Sequence, residues 1–85
     1  MTTWRKEFNE LFKTTGDKME DLTFDLAFDI KNLDRKFDGG FGYTDGDPFI
    51  AWSKNHVYFS REFDGADYID YVPRNPTVEL KEMTK

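Results

Sequence analysis

The chain contains no cysteine. That absence removes a disulfide framework, a thiolate nucleophile and every Cys-based zinc site together, and it is compatible with a reducing cytoplasm. Histidine occurs once, at His56, which excludes a multi-histidine metal site. It lies beside a turn, where an exposed imidazole is expected. Serine occurs only as Ser53 and Ser60, and neither stands in a nucleophile-elbow motif, so a Ser-His-Asp triad has no sequence support. Long apolar runs are missing too. Nothing approaches the roughly 20 residues of a membrane span, and the opening MTTWRKEFNELF carries charges where a signal peptide needs an unbroken apolar core. The expectation is an intracellular protein with no membrane association.

Basic residues are scarce relative to acids. Twelve Lys and Arg against seventeen Asp and Glu give a net charge of −5. Nonspecific binding to nucleic acid or anionic membranes depends on clustered Lys and Arg, so the charge balance points to basic partners instead. What the chain has in quantity is aromatic residues, 18% of its 85 positions. A domain this short buries only about 60% of its unfolded surface. Rings that each bury roughly 150–250 Å² make a small core efficient.

Trp4, Phe8, Leu11 and Phe12 fall on one stripe of an amphipathic helix over residues 3–14, with Thr2 or Thr3 as its cap and Gly16 as its stop. Such a stripe is either core or a docking face, and core packing is the ordinary reading. Leu22, Phe24, Leu26, Phe28 and Ile30 then alternate with polar or small residues, which predicts a strand over residues 21–27. Met19, Leu22, Leu26, Ile30, Leu33 and Phe37 also fit a helix, but that fit leaves Phe24 and Phe28 at the edge of the stripe. A short helix over residues 30–38, capped by Asp29, puts Ile30, Leu33 and Phe37 on its buried side. Gly39-Gly40 stops it, and residues 41–48 form a loop.

Three aromatic-rich runs follow. Residues 49–52 make a strand, residues 53–56 a turn, and residues 57–63 a second strand. Asp64-Gly65 is a two-residue hairpin signal that returns the chain through residues 67–72. In that register Phe63 faces Ala66, Arg61 faces Tyr68, Phe59 faces Asp70 and Val57 faces Val72. Pro73 and Pro76 end the sheet. The expected architecture is one α+β domain over residues 1–76, with a small, mostly antiparallel sheet of three to four strands, the N-terminal helix on one face and a short second helix. Residues 77–85 form a polar tail.

Chemistry-bearing motifs are incomplete. Asp45-Gly46-Asp47 lacks the distant bidentate Glu of a calcium loop and reads as a turn. Gly39-Gly40-Phe41-Gly42 follows a helix and lacks the Lys-Ser/Thr pair of a phosphate loop. Among seventeen acids some carboxylate pair is inevitable, so glycoside hydrolysis gains nothing from one. The expectation is a protein that is not an enzyme and takes no metal or cofactor.

The sheet is more informative as a surface. Its aromatics are too many for one small core, and strands alternate their faces, so some are expected to be exposed. A partner-binding patch built on Trp52, Tyr58, Tyr68, Tyr71 and Arg74, with Asp67 and Asp70 as an acidic rim, matches the residue preferences of protein interfaces. A second small core beneath the Gly-rich loop and the tail is the competing explanation.

Residues 33–76 also carry a family likeness. Leu33-Asp34, residues 37–42 (FDGGFG), residues 46–52 (GDPFIAW), residues 57–59 (VYF), residues 63–65 (FDG) and residues 73–76 (PRNP) resemble the pattern of a group of small proteins encoded by tailed bacteriophages of enterobacteria and related hosts. Phe63 stands where the family usually has Tyr, and Tyr68-Ile69 replaces a typical Glu-Trp pair. The resemblance brings no catalytic residues. It implies life in the cytoplasm of an infected bacterium, and with the acidic aromatic sheet it leads to an accessory protein for host takeover or anti-defence. Such a protein, an anti-CRISPR or nuclease inhibitor for example, blocks or redirects a host protein with a basic surface, such as a nucleic-acid-binding or defence protein. Alternatives are a single-stranded nucleic-acid or nucleotide module that stacks bases on the sheet aromatics, disfavoured by the excess of acids, and a minor virion structural protein.

Overall fold

The computed structural model describes residues 1–38, 46–63 and 65–74. Helix α1 spans Trp4–Thr15. The Thr3 hydroxyl accepts the Lys6 N–H at its start. Gly16 ends it in the left-handed region at φ 79°, returning its N–H to the Phe12 carbonyl. Both ends are therefore satisfied by the residues whose chemistry predicts them.

A four-stranded antiparallel sheet follows in the order β1-β2-β3-β4, comprising Thr23–Phe24, Ile50–Trp52, His56–Phe63 and Ala66–Pro73. The β3–β4 register pairs Phe63 with Ala66, Arg61 with Tyr68, Phe59 with Asp70 and Val57 with Val72, as the hairpin rule predicts. Gly65 takes the positive φ of 81° that the reversal needs. Pro73 closes β4 instead of following it.

Two predicted elements differ. The strand expected over residues 21–27 keeps only Thr23 and Phe24, preceded by a 3₁₀ turn at Met19–Asp21. Pairing stops because the Asp25 carboxylate takes the Ile50 N–H while the Asp25 N–H goes to the Ile50 carbonyl. A turn closed by Phe28 N–H to the Asp25 carbonyl then drives Phe28 into the core and leaves Leu26 fully in solvent. The helix expected over residues 30–38 is a 3₁₀ segment, Ile30–Asp34, capped by Asp29 as predicted. Ile30, the first residue of the segment, is exposed and not buried, while Leu33 faces inward. The chain then extends, and Phe37 exchanges two backbone hydrogen bonds with Thr2. The Gly-rich stretch before Gly46 and the predicted tail over residues 77–85 lie outside the described residues.

The core forms where the stripe of α1 meets one face of the sheet. Trp4, Phe8, Phe28, Leu33, Phe37, Phe49, Ala51 and Tyr58 are buried, with Leu11 and Phe12 packed against them. Phe8 sits at the centre, its ring against those of Phe12, Phe24, Phe49 and Tyr58. The stripe is thus core, as its spacing predicts. Trp4 meets its polar requirement by donating Nε1–H to the Asp47 carbonyl at 2.9 Å, which ties the helix start to the segment entering β2.

Candidate functional site

Two features stand apart from ordinary core packing. One is a polar cluster at the C-terminal end of α1. Asp17 follows the capping glycine, at the end of the helix where the backbone dipole disfavours negative charge. Donors from the sheet compensate. Its Oδ2 accepts from the Ser53 hydroxyl at 2.7 Å and the Tyr58 phenol at 2.6 Å, and lies 3.0 Å from His56 Nδ1. A carboxylate only accepts, so Nδ1 carries the proton of that contact. Burial pushes the Asp17 carboxyl upward, but the hydrogen bonds from Tyr58, Ser53 and His56 together hold it below the ordinary Asp range. Burial, reinforced by donation to Asp17, drives the Tyr58 phenol well above the ordinary tyrosine range.

Ser53 is itself buried, and its oxygen accepts the backbone N–H groups of Asn55 and His56. The exposed Arg74 adds a bond from Nη1 to the Ser53 carbonyl, and its N–H binds the Asn55 carbonyl. Helix end, β2–β3 turn and β4 end are thereby fastened at one point. The Ser53 proton goes to Asp17, not to the imidazole, so the cluster holds the fold together and is not wired as a nucleophile and its base. His56 is accordingly a half-buried structural partner, correcting the expectation of an exposed ring. The signal available in the sequence was Asp17 itself, a carboxylate placed just past a helix C-terminus.

The other feature is the far face of the sheet. Register puts Phe24, Ala51, Tyr58 and Tyr71 in one line facing α1, and Thr23, Trp52, Val57 and Val72 in the neighbouring line facing away. Ile50, Phe59 and Asp70 form a second outward line, and Arg61 and Tyr68 a third. No described helix or strand packs on this face. Ile50, Val72 and Phe63 are exposed, and Trp52, Val57, Phe59 and Tyr68 are partly so. Among the described residues the charges facing outward from the sheet are Arg61 and Asp70, which sit 3.3 Å apart and pair with each other.

The seven predicted surface residues therefore divide. Trp52, Tyr68 and Asp70 share the open face. Tyr58 is wholly buried beneath α1 and cannot meet a partner, because its place in the register is an inward one. Tyr71 is on the inward side as well, with its ring against His56 and Tyr58. Asp67 also belongs to the inward side, where it accepts the Gly46 N–H at 3.1 Å. Arg74 stands at the sheet end.

An open groove of about 600 Å³ begins where the outward face ends. Ile50 and Phe59 border it together with Phe28 and Phe49, and Asp25, Asp29 and Asp47 stand around it. Among the described residues no three His, Cys, Asp or Glu side chains are placed to hold a metal ion, and no helix is long and apolar enough to cross a membrane.

Fold and site together define a small α+β protein whose antiparallel sheet has one face sealed by a helix and the other, among the described residues, without a helix or strand upon it. No protein-family model matches the chain, and no curated protein or solved structure is significantly similar to it.

Proposed function

We propose that this protein acts by binding another protein through the open sheet face, as a phage-encoded accessory factor that occludes a host target. One observation carries the reading: a contiguous aromatic and aliphatic surface of Ile50, Trp52, Val57, Phe59, Tyr68 and Val72 lies on the side of the sheet opposite helix α1. A sheet face of that composition is normally covered, and large exposed apolar patches on small proteins mark interaction sites. The composition is that of an interface centre, rich in Trp, Tyr and Phe and poor in unpaired charge. The net charge of −5 selects a target with a basic surface. Stacking of single-stranded nucleic acid is disfavoured, since Arg61, the one cation within the face among the described residues, is paired with Asp70.

The test is affinity capture from an enterobacterial lysate with the wild type and a Trp52→Ser/Tyr68→Ser variant side by side, circular dichroism confirming that both are folded. A specific protein retained by the wild type and lost by the variant is expected. Capture of the same proteins by both, or of none, together with tight, salt-sensitive oligonucleotide binding, would overturn the reading in favour of the nucleic-acid alternative.

A further inference from the structure

The groove beside Ile50 and Phe59 has a chemistry of its own. Its apolar side is formed by Ile50 and the half-buried Phe59 ring, with the core rings Phe28 and Phe49 buried behind them, and its charged side is purely acidic. The carboxylates differ in what they have left to offer. Asp47 is bound to Arg35 at 2.7 Å. Asp25 gives Oδ1 to the Ile50 N–H, and Asp29 gives Oδ1 to the Lys31 N–H. Each of these two therefore satisfies a backbone donor with one oxygen and, among the described residues, has no cationic side chain within ion-pair distance.

We infer that this groove receives an arginine side chain of the partner protein. Charge complementarity selects a cation, and the carboxylates do not gather as a metal-holding group, so the cation is an organic one. Between the two basic side chains the half-buried Phe59 ring decides. A guanidinium is planar, weakly hydrated, stacks on ring faces and presents a fork of donors to carboxylates, whereas an ammonium is a compact, strongly hydrated charge. Continuity places the site functionally: Ile50 and Phe59 belong both to the groove and to the open face, so a target seated on the face reaches the groove with a side chain projecting from its edge. This inference rests on the docking-face reading and gives it a register, an apolar centre with a cation at one end.

The probe is a blocked arginyl-arginine dipeptide, titrated at low salt while backbone amide resonances are followed by NMR. Saturable shifts at Ala27, Phe28, Asn32, Ile50 and Ser60 are expected, with lysyl-lysine binding several-fold more weakly. Asp25→Asn and Asp29→Asn each keep the Oδ1 acceptor, and Asn is also a good helix cap, so the local structure survives loss of the charge. The double variant is expected to bind the dipeptide about tenfold more weakly, as for loss of a charge-assisted hydrogen bond at a partly exposed site. If Asp25→Asn alters the spectrum beyond its neighbours, Asp29→Asn alone carries the comparison. No saturable shift, shifts spread evenly over the acidic surface, or unchanged affinity in the variants would overturn the inference. The two readings fail separately. A silent titration beside successful differential capture removes the groove alone, and a saturable titration without capture removes the docking face alone.

Discussion

At the residue scale, Asp17 bears more of the fold than its surroundings in the sequence announce. One carboxylate oxygen collects three side-chain donors from β3 and the turn before it. Replacing Asp17 with Ala leaves those donors without their acceptor in a largely buried place, and a loss of about 2–4 kcal/mol in urea unfolding is expected. The pH dependence follows from the lowered carboxyl. As pH falls, the unfolded chain takes up this proton first, near the ordinary Asp value of about 4, so stability is present above that pH and drains away as pH drops through the lower folded value. Urea midpoints measured from pH 7 down to pH 3 should fall more steeply in the wild type than in Asp17→Asn. Tyr58 has the opposite sign. Its phenol is raised, so its contribution is complete below the unfolded tyrosine value of about 10 and is lost as pH rises toward the folded one. Ultraviolet titration of the four tyrosines should show one that ionises only with unfolding, and that component should vanish in Tyr58→Phe. A phenol that titrates normally in the folded protein would contradict the buried Asp17–Tyr58 bond.

At the scale of elements, what was legible was what local chemistry fixes. Thr3, Gly16 and the 3.6-residue stripe delimit α1 nearly to the residue. The Asp-Gly turn and alternation around it set the β3–β4 register in full. Long-range competition hid the rest. Nothing local says that Asp25 will bind the Ile50 backbone across 25 positions and cut β1 short. Nothing local brings Asp17 to residues 36 to 41 positions away. The glycines make the same distinction testable. Gly16 adopts φ 79° with open space around a would-be Cβ, so Gly16→Ala costs only the left-handed backbone strain, about 1–2 kcal/mol. At Gly46 a Cβ would lie 2.6 Å from Trp4 Cζ2, against a buried ring that packs on Phe37 and Phe49 and cannot swing away. Gly46→Ala is therefore expected to cost about 3 kcal/mol, the upper end of overpacking, and so more than Gly16→Ala. Thermal unfolding of the two variants beside the wild type checks the order.

At the scale of the whole molecule, the fold is a one-sided sandwich. Helix α1 covers one face of the sheet, and the aromatic content that an 85-residue chain needs for its core exceeds what that core holds. The surplus lies on the other face. Alternation in the sequence shows that the aromatics divide between two sides, but only the position of α1 decides that Tyr58 goes in and Trp52 goes out. The two tryptophans report that division directly, since Trp4 is buried and Trp52 is on the open face. Acrylamide quenching of their fluorescence, repeated over a hundredfold range of protein concentration, tests whether the face is open in the free protein. The expected result is one readily quenched component, absent in Trp52→Phe and unchanged by concentration, beside one protected component from Trp4. A Trp52 that is shielded from the outset, or that becomes shielded as concentration rises, would show the face already covered and contradict a surface kept for a partner.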